Sequence, residues 1–285
     1  MRLATALGQD GSTTVGVVRG DRVALVGGAL PGLGDMRSIA GGGRAARRGL
    51  EAWADGLAAG EWLPLEAVRL GPVVTDPGAI FTIGQNYRPG PGPDPGGALE
   101  RPLVYGKLPT SVAGDGELLS WDRSLTPNVD PEVELGIVIG QAVEGPVARG
   151  DALRHVFGWT CINDVSSRDE WLDGDQWLLG KSMAGFCPVG PWIVTPDELD
   201  ATDLHLTAAI NGEPIQDGRT SWMRFDVAAI VAFLSRHTVL RPGDLIASGT
   251  PPRLATPPGP DRHLEPGDVV TIRIEGIGTL VTHVT

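Results

Sequence analysis

The sequence has little of several features that would place it in common classes of protein. It has two cysteines, Cys161 and Cys187, which form no C-x-x-C pair and are too few for a disulfide framework. It has no apolar run of 18 residues and no signal-peptide pattern, so we expect no membrane span and a cytoplasmic location. It also has no basic excess, since the net charge is −12, which disfavours binding to nucleic acid or an anionic membrane.

Turn-forming residues, in contrast, are abundant. The 41 glycines and 24 prolines among 285 residues suit a turn-rich β protein and disfavour a helical bundle. We therefore expect a mostly β fold of the α+β class, with few helices, in one large domain and a smaller one.

The first 73 residues predict the smaller, β-rich domain. Three short strands are expected at residues 2–7, 13–18 and 22–26, with turns between them. Leu50, Trp53 and Leu57 follow a helical spacing within residues 45–57. The preceding Gly41-Gly42-Gly43 is expected to be a flexible connection, because no strand leads into it and no G-x-G-x-x-G follows.

Residues 74–285 predict the larger domain. Strands are expected at 79–84 and 103–107, a hairpin around Asn211-Gly212, and a strand pair within 269–284. A helix is expected to begin near Asp226. Proline at alternate positions of residues 88–97 excludes a helix there and indicates a mobile loop, a candidate lid.

Two carboxylates stand near the start of an apolar strand predicted at residues 129–140. Glu132 and Glu134 are two residues apart, so their side chains point to the same face. A solvated edge is the commoner place for such a pair. If both are buried, however, they repel each other unless a cation lies between them, and Mg²⁺ prefers carboxylate oxygens.

Seven short motifs occur along the second domain in a fixed order. They are Gly84-x-Asn86-Tyr87, Asp130-x-Glu132-x-Glu134-Leu135, Asn163-Asp164-Val165-Ser166-x-Arg168-Asp169, Gly180-Lys181-Ser182, Pro188-x-Gly190-Pro191-Trp192, Asn211-Gly212 and Ser248-Gly249-Thr250-Pro251. Together they make residues 79–285 resemble the fumarylacetoacetate hydrolase family. The resemblance implies a mixed β-sandwich roll, a homodimer and a small N-terminal domain of the kind that many bacterial members carry.

The resemblance also implies roles for individual residues. The positions matching the family's metal ligands, for Mg²⁺ or Mn²⁺, are Glu132, Glu134 and Asp164. The positions matching its contacts to the substrate's carboxylate and oxo groups are Arg168, Lys181 and Thr250. Lys181 is further implied to be catalytic, by stabilising, with the metal, the enolate charge that develops on the substrate.

Three departures from the family pattern concern the reaction. The lid segment has no histidine, Trp171 stands in place of a frequent glutamine, and Arg253 in place of a glycine. Of the five histidines, His263 lies in a loop and is the one that we consider as a substitute for the missing base. At the second departure, we expect the indole of Trp171 to add apolar bulk to the substrate pocket.

These features predict a metal-dependent enzyme that acts on a small 2-oxo acid or β-dicarbonyl compound. With the water-activating histidine missing, an isomerase or tautomerase, a decarboxylase or a specialised biosynthetic lyase is favoured. The alternatives are an acylpyruvate-type C–C hydrolase and a non-catalytic binding protein on the same scaffold.

Overall fold

The computed structural model describes residues 1–94, 97, 99–255 and 262–285. Strands dominate this part of the chain and helices are short apart from one, which confirms the mostly β prediction. The helices are α1 (Met36–Asp55), α2 (Arg149–Ala152), α3 (Glu170–Gly174), α4 (Trp177–Gly180) and α5 (Val227–Leu234). Single 3₁₀ turns lie at Ala59–Glu61, Leu65–Ala67, Pro109–Ser111, Leu153–His155 and Thr220–Trp222.

The described strands form one large sheet, a second sheet and a small ribbon. The large sheet runs in spatial order β4 (Leu63–Pro64), β3 (Arg22–Leu25), β2 (Thr13–Arg19), β1 (Arg2–Leu7), β13 (Cys187–Val194), β11 (Val156–Asn163), β10 (Val133–Ile139), β16 (Leu245–Ala247), β5 (Ile80–Gly84) and β6 (Leu103–Lys107), with β7 (Val112–Ala113) beside β13. The second sheet runs β15 (Glu213–Arg219), β14 (His205–Ile210), β17 (Val269–Ile274), β18 (Gly278–Val284) and β8 (Leu118–Leu119). The ribbon pairs β9 (Val129–Asp130) with β12 (Ser166–Ser167).

Each face of the central strand β10 packs into a different apolar core. Leu135, Ile137 and Ile139 belong to the core shared with the second sheet. Val138 points the other way, into the core that contains Ile39 and Leu50 of α1. This alternation is the two-residue period of a strand, and it gives a β-sandwich with a helix over its outer face.

The three N-terminal strands lie where they were predicted, and they extend the large sheet. β1 pairs with β13 through Arg2 and Val194 and through Leu3 and Ile193. The segment that follows is also tied to the sheet, since the amide of Val73 donates to the carbonyl of Val189. The division into domains at residues 73 and 74 stays a prediction.

The connection expected at Gly41–Gly43 is wrong for Gly41 and Gly42, which are helical, whereas Gly43 has non-helical φ and ψ at a kink within α1. The helix begins earlier than its periodicity indicated, at an N-cap where the Asp35 carboxylate accepts from the amide of Ser38. Ile39 and Ala40 are fully buried, so packing outweighs the poor helical propensity of the glycines. Gly43 has φ +55°, a left-handed conformation that marks a kink and favours glycine.

The strand predicted at residues 129–140 is broken in the middle. β9 pairs with β12, whereas β10 pairs with β11, so the chain changes partners at Pro131 and Glu132. Proline cannot donate to a ladder, which explains the break. The hairpin turn predicted at Asn211 and Gly212, both with positive φ, and the N-cap of α5 predicted at Asp226 are confirmed.

The proline-rich segment contains no helix in its described residues, 88–94 and 97, as predicted. Pro95 and Gly96 lie outside the described residues, so the mobile lid stays a prediction. None of the helices in the described part of the chain has the length and apolar character needed to span a bilayer.

Candidate active site

The ends of two central strands bring the three predicted metal ligands together. β10 and β11 are antiparallel, with Val133 opposite Asn163. Just beyond this pair, the amide of Asp164 donates to the carbonyl of Glu132 at 3.0 Å. One ligand oxygen from each of Glu132, Glu134 and Asp164 lies within 4.8 Å of the others. The site is therefore a compact carboxylate cluster set in the sheet.

Glu134 is the member of this cluster whose ionised form is least favourable. Its side chain is buried, and its Oε2 accepts a hydrogen bond from the amide of Gly249 at 2.6 Å. A side chain at Gly249 is excluded, because a Cβ would lie 2.6 Å from the carbonyl oxygen of Ile83 and φ is +95°. Burial raises the pKa of Glu134 well above its ordinary value, and repulsion by Asp164 and Glu132 raises it further. The charge of Lys181 and the hydrogen bond from Gly249 lower this pKa, but they do not offset burial and repulsion.

Asp164, in contrast, has two cations. Lys107 Nζ lies 2.6 Å from Oδ1 and Lys181 Nζ lies 2.7 Å from Oδ2. Burial alone would raise the pKa of Asp164, but the two ammonium groups lower it to about 2. Asp164 therefore remains ionised although it is buried.

Lys107 is the functional residue that the sequence reasoning missed. It ends β6, its side chain is fully buried, and it also donates to the carbonyl of Val165 at 3.0 Å. A signal was present in the composition, since Lys107 and Lys181 are the only two lysines and the chain uses arginine for every other cation. Both lysines occur at the carboxylate cluster. With Glu132, Glu134 and Asp164, they form what we call the carboxylate centre.

Lys181 holds its proton firmly. It follows α4 and donates to Ser166 Oγ at 2.6 Å and to Glu132 Oε2 at 3.3 Å, besides its bond to Asp164. Burial by itself would lower the pKa of Lys181, but Asp164 and Glu132 raise it above its ordinary value. Lys181 is thus suited to supply a fixed positive charge rather than to accept a proton.

Arg168 is held by acidic side chains of the chain itself. Its guanidinium contacts Glu132 Oε1 and lies 3.3 Å from Asp130 Oδ2. The charge of Glu132, in particular, raises the pKa of Arg168. His263, the predicted substitute base, is bound to the other oxygen of Asp130 through Nδ1 at 2.7 Å. It is not among the described residues that line the cavity.

Thr250 is held by the carboxylate strand and by a glutamine. Its hydroxyl donates to the carbonyl of Val133 at 2.8 Å and accepts from Gln216 Nε2 at 2.8 Å. Gln216 Oε1 in turn accepts from the amide of Val133 at 2.9 Å. These three hydrogen bonds tie the loop that carries Thr250 to Val133, the residue between Glu132 and Glu134.

A cavity of about 570 Å³ opens over the carboxylate centre. All six predicted site residues line it, together with Thr82, Tyr87, Tyr105, Trp177, Gln216, Arg224 and the Pro251–Arg253 segment. Tyr105 and Trp177 stack at 4.6 Å between ring centroids and give it an apolar side. The buried hydroxyls of Thr82 and Tyr87 have no hydrogen-bond partner among the described residues.

The expectation that Trp171 fills this pocket is wrong. Trp171 lies on α3, its side chain is 48% exposed, and it does not line the cavity. Trp177, one short helix further on, supplies the indole instead. Proximity in sequence to Arg168 did not predict which face of α3 turns inward.

Loop residues also line the cavity, and we call this side, formed by residues 85–94, Arg224 and Thr250–Arg253, the loop wall. Arg224 binds Asp94 with two hydrogen bonds, of 2.5 and 2.8 Å, which hold the described part of the proline-rich segment. Arg224 also donates to the carbonyl of Tyr87 at 2.9 Å. Asp94 therefore serves to hold the loop in place over the cavity.

The carboxylate centre fits a divalent cation. Three carboxylates with oxygens close enough to share one ion are the donor set that Mg²⁺ and Mn²⁺ prefer. Burial, followed by repulsion from Asp164 and Glu132, raises the pKa of Glu134, although Lys181 lowers it. A cation between Glu134 and its two neighbours would offset the remaining repulsion.

Comparison with known proteins identifies the family. Residues 79–285 match the model of the fumarylacetoacetate (FAA) hydrolase C-terminal domain. An uncharacterised protein of Staphylococcus epidermidis is 37% identical over 219 residues, which are 75% of this chain and 71% of that protein.

Solved structures match the whole fold. A fumarylacetoacetate hydrolase from Exiguobacterium antarcticum is 32% identical, with a TM-score of 0.86, over 100% of this chain and 99% of that one. A maleylpyruvate hydrolase from Sphingobium sp. SYK-6, in complex with manganese(II) and pyruvate, is 29% identical, with a TM-score of 0.81 and the same coverage. A 5-carboxymethyl-2-hydroxymuconate delta-isomerase from Mycobacterium smegmatis is 30% identical, with a TM-score of 0.78, over 100% and 98%.

The predicted fold is thus confirmed, and the neighbours include both hydrolases and isomerases. The match to the family model covers most of the chain and includes every residue of the carboxylate centre. The chain belongs to the fumarylacetoacetate hydrolase family.

Proposed function

We propose that this protein is a divalent-metal-dependent enzyme that acts on a small 2-oxo acid or β-dicarbonyl compound. The observation that carries the proposal is the buried cluster of Glu132, Glu134 and Asp164 at the base of an open cavity. The neighbour that contains manganese(II) and pyruvate supports both the metal and the class of ligand. A cytoplasmic location and a homodimer remain predictions.

Each residue has a proposed role. Glu132, Glu134 and Asp164 hold Mg²⁺ or Mn²⁺, which when bound polarises the carbonyl and carboxylate oxygens of the substrate. Lys181 places its ammonium group beside the substrate oxygen on which negative charge develops, and it keeps its proton because Asp164 and Glu132 raise its pKa. Arg168 and Thr250 line the cavity and are proposed to orient the substrate carboxylate.

We infer an isomerisation, tautomerisation, decarboxylation or related biosynthetic lyase step rather than a hydrolysis. Hydrolysis of a C–C bond requires a base that activates water, a contribution of about 10²–10⁴ in rate. No histidine lines the cavity in the described ranges, and the residues outside those ranges include none in the sequence. His263, the substitute considered above, is bound to Asp130 instead.

The test is to supply oxaloacetate and acetylpyruvate with Mg²⁺ or Mn²⁺, with and without EDTA. Enol absorbance reports tautomerisation, and coupled detection of pyruvate reports decarboxylation of oxaloacetate or cleavage of acetylpyruvate. We expect turnover that EDTA abolishes. Turnover insensitive to EDTA would contradict the metal role, and no turnover with any 2-oxo acid or diketone would favour a binding protein. Acetylpyruvate cleavage at about 1–10³ s⁻¹ would overturn the inferred reaction class.

A further inference from the structure

Arg253 adds a cation to the cavity that the proposed roles do not use. It lies in the loop wall, directly after Thr250-Pro251-Pro252, and forms an isolated β-bridge with Gln216. Gln216 is bound to Thr250 and to the strand that carries the metal ligands. The backbone of Arg253 is thus fixed relative to the carboxylate centre.

The guanidinium of Arg253 is incompletely bonded. Nη2 donates to the carbonyl of Arg262 at 2.9 Å. Nη1 lies 2.9 Å from Asp130 Oδ1, but it has no hydrogen bond of acceptable geometry to any described residue although it is buried. Asp130 Oδ1 is already the acceptor for His263. Because this acceptor is shared, the guanidinium of Arg253, which lines the cavity, keeps donor capacity that a carboxylate in the cavity can use.

The balance of charge around the cavity favours the same conclusion. The charged residues that line it in the described part of the chain are three carboxylates, all in the carboxylate centre, and the cations Arg168, Lys181, Arg224 and Arg253. Each of these cations has a carboxylate within about 3 Å: Lys181 has Asp164, Arg168 has Glu132 and Arg224 has Asp94, while Arg253 has Asp130 at 2.9 Å. Asp130 also pairs with Arg168 and His263, so three side chains share its single charge. Among the described residues Arg253 has no second carboxylate partner, whereas Lys181 and Arg168 each have at least one.

We propose that Arg253 is a specificity-determining residue that binds a second carboxylate of the substrate, at the part of the loop wall formed by Pro251, Pro252 and Arg253. The planar guanidinium of arginine matches a carboxylate with two parallel hydrogen bonds. With a divalent cation in the carboxylate centre, the cavity carries an excess of positive charge and suits a dianion better than a monoanion. This assignment rests on the proposed function, because it takes the 2-oxo acid end of the substrate to lie at the carboxylate centre.

The experiment compares binding of a monoanion and two dianions to the Mg²⁺-loaded full chain by calorimetry. The probes are pyruvate, 2-oxoglutarate and 2-oxoadipate, whose lengths differ between the two carboxylates. We expect at least one dicarboxylate to bind tenfold or more tightly than pyruvate. Arg253→Gln should weaken binding of that dicarboxylate by about 10- to 100-fold and that of pyruvate by less than about threefold. Arg253→Lys keeps the charge but loses the planar pair of donors, so its affinity for that dicarboxylate should lie between those of the wild type and Arg253→Gln.

The matched control is Arg149→Gln. Arg149 is an exposed arginine that is paired with Asp226 and does not line the cavity. Mg²⁺ affinity and urea unfolding of each variant establish that the site and the fold are intact. If Arg253→Gln weakens pyruvate and the dicarboxylates equally, or weakens neither, the assignment of Arg253 is overturned while the proposed function stands. If no 2-oxo acid binds the wild type in a Mg²⁺-dependent manner, the proposed function itself fails.

Discussion

The two sides of the cavity are built on different principles. The carboxylate centre lies on strands and short segments at the ends of strands, and most of its side chains are buried. The loop wall consists of irregular segments whose side chains are partly exposed and which are joined by ion pairs such as Arg224 with Asp94. The difference teaches that the carboxylate centre is built mainly on regular elements, whereas the loop wall, proposed to recognise the rest of the substrate, is held by individual side-chain and bridge contacts.

The largest expected effect is at Glu134, where Gln has nearly the same shape without the charge. Glu134→Gln should reduce Mg²⁺ affinity by at least about 100-fold, because one of three anionic ligands is lost. In EDTA the variant should be at least as stable as the wild type, since the buried repulsion with Asp164 and Glu132 disappears. Calorimetry and urea unfolding measure the two quantities. Equal stabilisation of both proteins by Mg²⁺ would contradict the assigned site.

The next effect is at Lys107. Lys107→Met removes one partner of a fully buried ion pair and leaves Asp164 with Lys181 alone. We expect the free energy of unfolding to fall by about 3 kcal/mol in urea titrations of the metal-free protein. Arg149→Met, which breaks an exposed pair, should have a much smaller effect. A Lys107→Met protein as stable as the wild type would show that this lysine does not support the carboxylate centre.

A smaller effect is expected in the loop wall. Asp94→Asn weakens the bond to Arg224, and the free energy of unfolding should change by less than about 1 kcal/mol because the pair holds a loop rather than a core. Hydrogen exchange should instead accelerate at the amide of Arg88, which donates to the carbonyl of Trp222. Asp203→Asn, at the exposed pair with Arg219, is the control. An unchanged exchange rate at the amide of Arg88 would show that Asp94 does not hold this loop in place.

The smallest effect is expected at Trp171. Because its side chain is exposed and outside the cavity, Trp171→Ala should change KM and Mg²⁺ affinity by less than about twofold. Trp177→Ala removes the partner that stacks on Tyr105 and should raise KM by more. The reverse order would restore the expectation, drawn from the sequence, that Trp171 belongs to the pocket.

What could be predicted from the sequence follows the same division. Glu132 and Glu134 were identified by the two-residue period of a strand, and this relation held although Pro131 interrupts the strand. Asp164 was identified through the family resemblance, and the structure brings it to the same cluster. Arg253, Arg224 and Asp94 lie in loops, whose paths have no periodic signal in the sequence.

Two misses have physical causes. The Gly41–Gly43 segment is flexible by propensity, yet Gly41 and Gly42 are helical because Ile39 and Ala40 bury apolar surface there, and Gly43 alone of the three departs from helical geometry. Lys107 ends an ordinary short strand, so local pattern gave no reason to bury it, and its partner Asp164 is 57 residues away in the chain. Contacts at that separation are formed by the tertiary fold and not by the local sequence.

The use of lysine at Lys107 and Lys181 and nowhere else has a practical consequence for protein chemistry. Reagents that acylate primary amines normally modify many surface lysines, but here both side-chain amines are buried and bound to carboxylates. Both ammonium groups are salt-bridged, and the pKa of Lys181 is raised, so they remain protonated and are poor nucleophiles. The lysine side chains of the folded chain should therefore resist coupling to amine-reactive dyes, surfaces and cross-linkers. When the chain does react at a lysine, the modified peptide will report that the interior of the site has opened.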